Sequence, residues 1–224
     1  MIGTRRGVVT KLRNGFGNGS YKKAAKKFAK ENKLIYFESI NPDGQPLPVV
    51  RGAKMSLDQV DANYCFGTHA GYDVVLADRT ATVKYEGYKS TPHHWYVLQV
   101  DLHKANVPYM FIGTRQQTKA FYAGVLSAHR ELRYLTLASS ADRAAAFHGH
   151  YAVLASPAQT QLLYQLLDER MINILGGHKY PFAMEFDGDS LYIMTDTKKA
   201  SQQLLAKLLH YGLWLAKEVD QRLS

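Results

Sequence analysis

Two periods of apolar and polar residues alternate along this chain, and the switch between them marks its organisation. Over residues 62–113 the period is near two. Asn63–Thr68 and Tyr72–Ala77 flank a turn at Gly71, Thr80–Tyr85 and His94–Leu102 alternate, and Pro108–Ile112 is a short apolar run. That pattern predicts strands, and nothing helical fits there. After Gly113 the period lengthens. Gln116–His129 reads as a helix, Arg133–Leu137 and Phe147–Ala155 as strands, and Ser156-Pro157-Ala158-Gln159 as a capping box. The helix it opens carries Leu162, Leu163, Leu166, Leu167, Ile174 and Leu175 and stops at Gly176-Gly177. Phe182–Phe186 and Leu191–Met194 form a hairpin around Asp187-Gly188-Asp189-Ser190, and Lys198–Arg222 is a long final helix with Leu204, Leu205, Leu208, Leu215 and Val219 on one side.

Ahead of this body, residues 7–12 suit a short strand, followed by a Gly- and Asn-rich turn. Ser20 is a good N-cap for a helix over Tyr21–Asn32, with Leu34–Phe37 as a strand after it. The helix has a narrow apolar stripe (Tyr21, Ala24, Ala25, Phe28, Ala29) opposite Lys22, Lys23, Lys26, Lys27 and Lys30. Residues 41–48 hold three prolines and a glycine and read as a loop. Antiparallel-type strands with helices gathered in the C-terminal half predict an α+β fold, a mainly antiparallel sheet with the long last helix packed on it. Three parts follow: a basic arm with an amphipathic helix (1–33), a β-rich part (34–113) and an α+β part (114–224), the last two forming one compact unit.

Composition narrows the class. With 224 residues, 46% hydrophobic and 21% charged, disorder, collagen and coiled coil are excluded. A single cysteine, Cys65, excludes an intramolecular disulfide framework. No apolar run approaches the roughly 18 residues needed to span a bilayer, and the basic N-terminus lacks the apolar stretch of a signal peptide. A cytoplasmic protein, at most peripheral to the inner membrane face, is expected. The net charge of +9 is the most informative quantity, because residues 1–33 carry ten cations and one acid, leaving 18 cations and 18 acids in the other 191 residues. Arg5, Arg6, Arg13, Lys22, Lys23, Lys26, Lys27 and Lys30 are therefore candidate anion-binding residues. Against an acidic lipid surface, Tyr21 and Phe28 would insert as membrane contacts. Nucleic acid is the alternative partner, bound without sequence preference, since lysines supply point charges and not base readout.

Motifs for catalysis are weak by comparison. Gly15-Phe16-Gly17-Asn18-Gly19-Ser20 lies in the strand–turn–helix order of a dinucleotide fold, with Glu38 where a ribose ligand would sit. Ser20 replaces the third glycine and no further β-α-β alternation follows, so we read a flexible turn. Cys65 and His69 do not show the contact that a thiol–imidazole pair needs, and a buried inert thiol fits Cys65 better. His148 and His150 share one face of a strand, as do Asp101 and His103, but two ligands are too few for a structural zinc site. His93 and His94 point to opposite faces, and Asp187 and Asp189 belong to a turn. No catalytic residue, metal or cofactor is expected, and no small-molecule substrate is identified.

A resemblance adds to this. Met110-Phe111-Ile112-Gly113, Phe147 with Tyr151-Ala152-Val153, Pro157, Leu166-Leu167, Met184-Glu185-Phe186, Leu191-Tyr192-Ile193 and Gly212-Leu213-Trp214-Leu215-Ala216 with Asp220 together resemble a broad bacterial family of uncharacterised proteins, over about 107–223. Many of its members carry membrane-spanning segments ahead of the soluble domain. The family has no established activity, so the resemblance implies no site residue. The function expected is a non-catalytic binding or adaptor module whose basic N-terminal region meets an anionic partner, a membrane surface first. Nucleic-acid binding and an enzyme with an unrecognised site are the alternatives, and a protein partner is a further expectation.

Overall fold

The computed structural model describes residues 18–39, 52, 59–83, 87, 91–177, 182–196 and 201–223. The strand expected over 7–12, the loop over 41–48, and Arg5, Arg6 and Arg13 lie outside the described residues. The elements in order are α1 (Asn18–Glu31), β1 (Ile35–Phe37), β2 (Val60–His69), β3 (Tyr72–Val83), β4 (Thr91–Asp101), β5 (Val107–Thr114), α2 (Lys119–Ala128), β6 (Arg133–Leu135), α3 (Ala144–His150), β7 (Tyr151–Ala155), a 3-10 turn (Pro157–Gln159), α4 (Thr160–Leu166), α5 (Glu169–Gly177), β8 (Ala183–Gly188), β9 (Ser190–Asp196) and α6 (Gln202–Arg222).

The strands form one sheet in the order β1-β2-β3-β4-β9-β8-β5-β7-β6, and its pairings are antiparallel. The fold is α+β, as the periodicities predict. β4 pairs with β9, from Trp95 opposite Asp196 to Asp101 opposite Ser190, so strands from both halves of the chain share the sheet. One face is covered by α1, α6 and the smaller helices α3 to α5, with Leu76, Leu98, Ile112, Met184 and Ile193 beneath them. The other carries α2, whose Phe121, Tyr122 and Val125 pack with Trp95, Val97, Phe111 and Tyr192.

The last helix is capped by Ser201, whose side chain accepts from the Leu204 amide. Its Leu205, Leu208, Leu215 and Val219 are buried, while Leu204 is only partly covered. A Cβ at Gly212 would sit 2.7 Å from Leu98 Cδ2, so glycine lets this helix approach β4 closely.

Four local expectations differ from the structure. Tyr72–Ala77 and Thr80–Val83, read from the sequence as parts of separate runs, belong to the single strand β3. Residues 147–150 are helical and not part of a strand, because Ala144–Ala146 is a strong helix-forming run that carries Phe147 into the core. Ser20 lies within the first turn of α1 and does not precede it. The helix expected after Ser156 is split. Ser156 makes no side-chain cap, whereas the Asp168 carboxylate accepts from the Met171 amide at 2.7 Å and starts a separate helix.

Candidate anion-binding face

α1 ends in a tight reversal. Lys33 takes the left-handed conformation at φ 57°, the Leu34 amide donates to Ala29 O at 2.8 Å and the Lys33 amide to Lys30 O. This is a Schellman-type C-cap with lysine where glycine is usual. The chain turns back at once, so β1 runs beside the helix it has just left. The reversal brings Glu38 to Lys22 and Tyr36 under Lys26, whose Nζ lies 5.3 Å from the ring centroid. Lys27 pairs with Glu31 at 3.8 Å. The hydrogen bond from Lys22 holds the Glu38 carboxyl below its ordinary value. Lys23, Lys26, Lys27 and Lys30 are exposed and Lys22 is partly so, so the structure places these five cations on the outer side of one helix.

The other side of α1 corrects an expectation. Tyr21 and Phe28 are buried, at 4% and 0% exposure, and belong to the main core with Ala25 and Ala29. They are not available to a membrane. The stripe that would have entered lipid is the one that holds α1 on the sheet.

Beneath it lies a polar cluster that the sequence pattern did not single out. Tyr36 Oη donates to Asn63 Oδ1 at 2.7 Å, and Asn63 Nδ2 donates to Asp78 Oδ2 at 2.6 Å. Asp78 Oδ1 is 4.0 Å from His94 Nε2, and the Tyr21 ring stacks on His94 at 3.9 Å. Burial raises the Asp78 carboxyl to about 6, against the Asn63 hydrogen bond and with help from Asp61. Burial lowers the His94 imidazole to about 4, against the Asp196 charge. On the opposite sheet face Arg79 grips Asp61 through Nε and Nη2 at 2.6 and 2.7 Å and donates to Gly52 O. The available signal was polar residues at inward strand positions, but a register shift between Ala62 and Cys65 decides which of them meet.

The remaining candidates are not brought together. Cys65 Sγ donates to Ala25 O at 3.5 Å and burial pushes its thiol up to about 12. His69 Nδ1 instead lies 3.4 Å from Asn32 O. His148 and His150 sit two residues apart on a helix and so diverge, His148 Nε2 being 3.0 Å from Leu137 O. Asp187 and Ser190 close the β8–β9 hairpin around Gly188. Among the described residues no group of three or more His, Cys, Asp or Glu could hold a metal ion, and no helix is long and apolar enough to cross a membrane.

No family model matches the chain, and no curated protein does. Among solved structures it is similar to the mycobacterial trehalose monomycolate transport factor A, TtfA, with 11% identity and a TM-score of 0.54, over 92% of this chain and 95% of that one. At that identity the likeness speaks for the fold alone.

Proposed function

We propose that this protein is a non-catalytic adaptor that docks peripherally on an acidic lipid surface through the outer face of α1. The observation that carries the reading is the placement of Lys22, Lys23, Lys26, Lys27 and Lys30 on one side of a helix whose other side is locked into the core. A rigid row of cations keeps its spacing when it meets a charged plane and loses little conformational freedom beyond side-chain rotamers. Each lysine near such a surface is worth about 1 kcal/mol, so five support measurable but reversible association. The contact is electrostatic, without insertion of Tyr21 or Phe28. The structural neighbour is a transport factor, which accords with a non-enzymatic role. On this reading the protein sits peripherally at the inner membrane face.

The test is cosedimentation with acidic vesicles, neutral vesicles and duplex DNA at two salt concentrations. A variant with Lys22, Lys23, Lys26 and Lys27 each changed to Glu serves as the control. Binding to acidic vesicles alone, weakened by salt and lost in the variant, is the expected result. Binding to DNA of similar strength, with a log–log salt slope of about −4.5 for five neutralised phosphates, would replace the lipid reading with the nucleic-acid one. Indifference to all three surfaces would reduce the lysines to a solvated face.

A further inference from the structure

β1 is the outermost strand of the sheet, and among the described residues no strand pairs with its outer side. Its two faces differ sharply. Ile35 and Phe37 point away from α1 and are 55% and 43% exposed. Phe37 stacks on Phe66 with centroids 5.1 Å apart, and the cross-strand row Ile35, Phe66, Val75 carries the apolar surface inward over three strands. Tyr36 points the other way, toward Asn63 and the lysine flank of α1. Glu38, two residues further on the same side, reaches Lys22.

We infer that β1 is a docking edge for an extended segment of a partner protein in which acidic and apolar residues alternate. This goes beyond the lipid reading, because it uses the flank of α1 over β1 (Lys22, Lys26) and the apolar face below, and gives the adaptor a protein contact. A strand added to an open edge supplies main-chain hydrogen bonds, while its alternate side chains set specificity. On such a strand every second side chain faces α1 and meets lysines, and the others meet Ile35 and Phe37. The spacings agree: lysines four apart on a helix rise by about 6 Å, and strand residues two apart by about 6.6–6.8 Å. Glu38 already shows a carboxylate on that side of β1 reaching a lysine of α1.

The probes are three end-blocked eight-residue peptides added to the full chain: Glu and Val alternating, the same composition as a Glu block followed by a Val block, and Lys and Val alternating. Backbone amide shifts and exchange protection are followed by NMR. We expect the alternating acidic peptide to bind at least about tenfold more tightly than the block peptide, and to protect amides of Ile35–Phe37. A Lys22→Glu/Lys26→Glu variant should lose about tenfold in affinity, and a Phe37→Asp variant a similar amount. Both changes lie at exposed or partly exposed positions, and a thermal melt confirms that the variants are folded. Equal binding of the two acidic peptides, protection away from β1, or indifference to Phe37→Asp overturns the inference. So does protection of β1 by vesicles of phosphatidylglycerol but not by the peptide, which would assign the edge to lipid. Failure on vesicles with success on the peptide would overturn the lipid reading and leave this one standing.

Discussion

Asp78 and His94 face each other across 4.0 Å beneath α1, and burial pushes both toward their neutral forms. Asp78 moves from 3.8 up to about 6 and His94 from 6.5 down to about 4. The raised Asp78 value favours the fold at low pH, and that contribution is lost as pH rises through about 6. The depressed His94 value favours the fold above 6.5, and that contribution is lost as pH falls through about 4. Between these limits the native pair holds one proton, on Asp78, and the unfolded pair also holds one, on the imidazole. Stability from this pair should therefore be nearly flat from pH 4 to 6.

Breaking the pair should uncover two opposite slopes. In Asp78→Asn only the His94 term survives, so stability should climb from pH 4 to 6.5. In His94→Gln only the Asp78 term survives, so it should decline from pH 4 to 6. Each proton is worth about 1.4 kcal/mol per pH unit, so changes on the order of 2 kcal/mol are expected in urea titrations across the window. Parallel pH profiles in the two variants would refute the assignment.

Phe28 should behave as a core residue and not as a lipid anchor. It is fully buried, so Phe28→Ala should cost about 3–5 kcal/mol of stability. Where the variant remains folded, its vesicle affinity should match that of the unaltered protein. Retained stability with lost vesicle binding would restore the membrane contact that burial argues against.

Cys65 should be chemically silent in the native state. Its thiol is buried and pushed up to about 12, so almost no thiolate is present near neutrality. Labelling by a maleimide should require opening of α1, and its rate should rise steeply with urea. Fast labelling without denaturant would show that α1 lifts readily from the sheet.

A side chain at Gly212 should cost stability. An added Cβ meets Leu98 Cδ2 at 2.7 Å and Val100 Cγ2 at 3.3 Å, so Gly212→Val should cost about 1–3 kcal/mol through overpacking. Calorimetry that finds no loss would mean that α6 can shift outward.

Strands β2, β4 and β5 and the final helix were legible because period-two and helical stripes are local properties that burial then enforces, whereas β3 read as two separate runs. Phe147–His150 misled because an aromatic and two histidines carry no helical signature of their own, and the alanines before them decide the conformation. Tyr21 and Phe28 misled for a different reason. A one-sided amphipathic helix shows the same pattern whether its partner is lipid or a sheet. The cluster of Asn63, Asp78 and His94 was hidden because it depends on strand register, and that register changes at a bulge where Asn63 takes φ 52°.

The pairing of β4 with β9 also sets the order of events during synthesis. β2, β3 and β4 can form a meander as they leave the ribosome, but the partner of β4 on its other side is made only after residues 102–189. At about 5–20 residues per second the nascent chain waits on the order of ten seconds with that side of β4 unpaired. Val97, Leu98 and Val100, fully buried in the finished protein, stand beside backbone that has no strand partner during the wait. Productive biosynthesis of this protein therefore depends on what shields β4 in the interval, and slowing translation within 102–189 should lower soluble yield without altering the stability of the molecules that do fold.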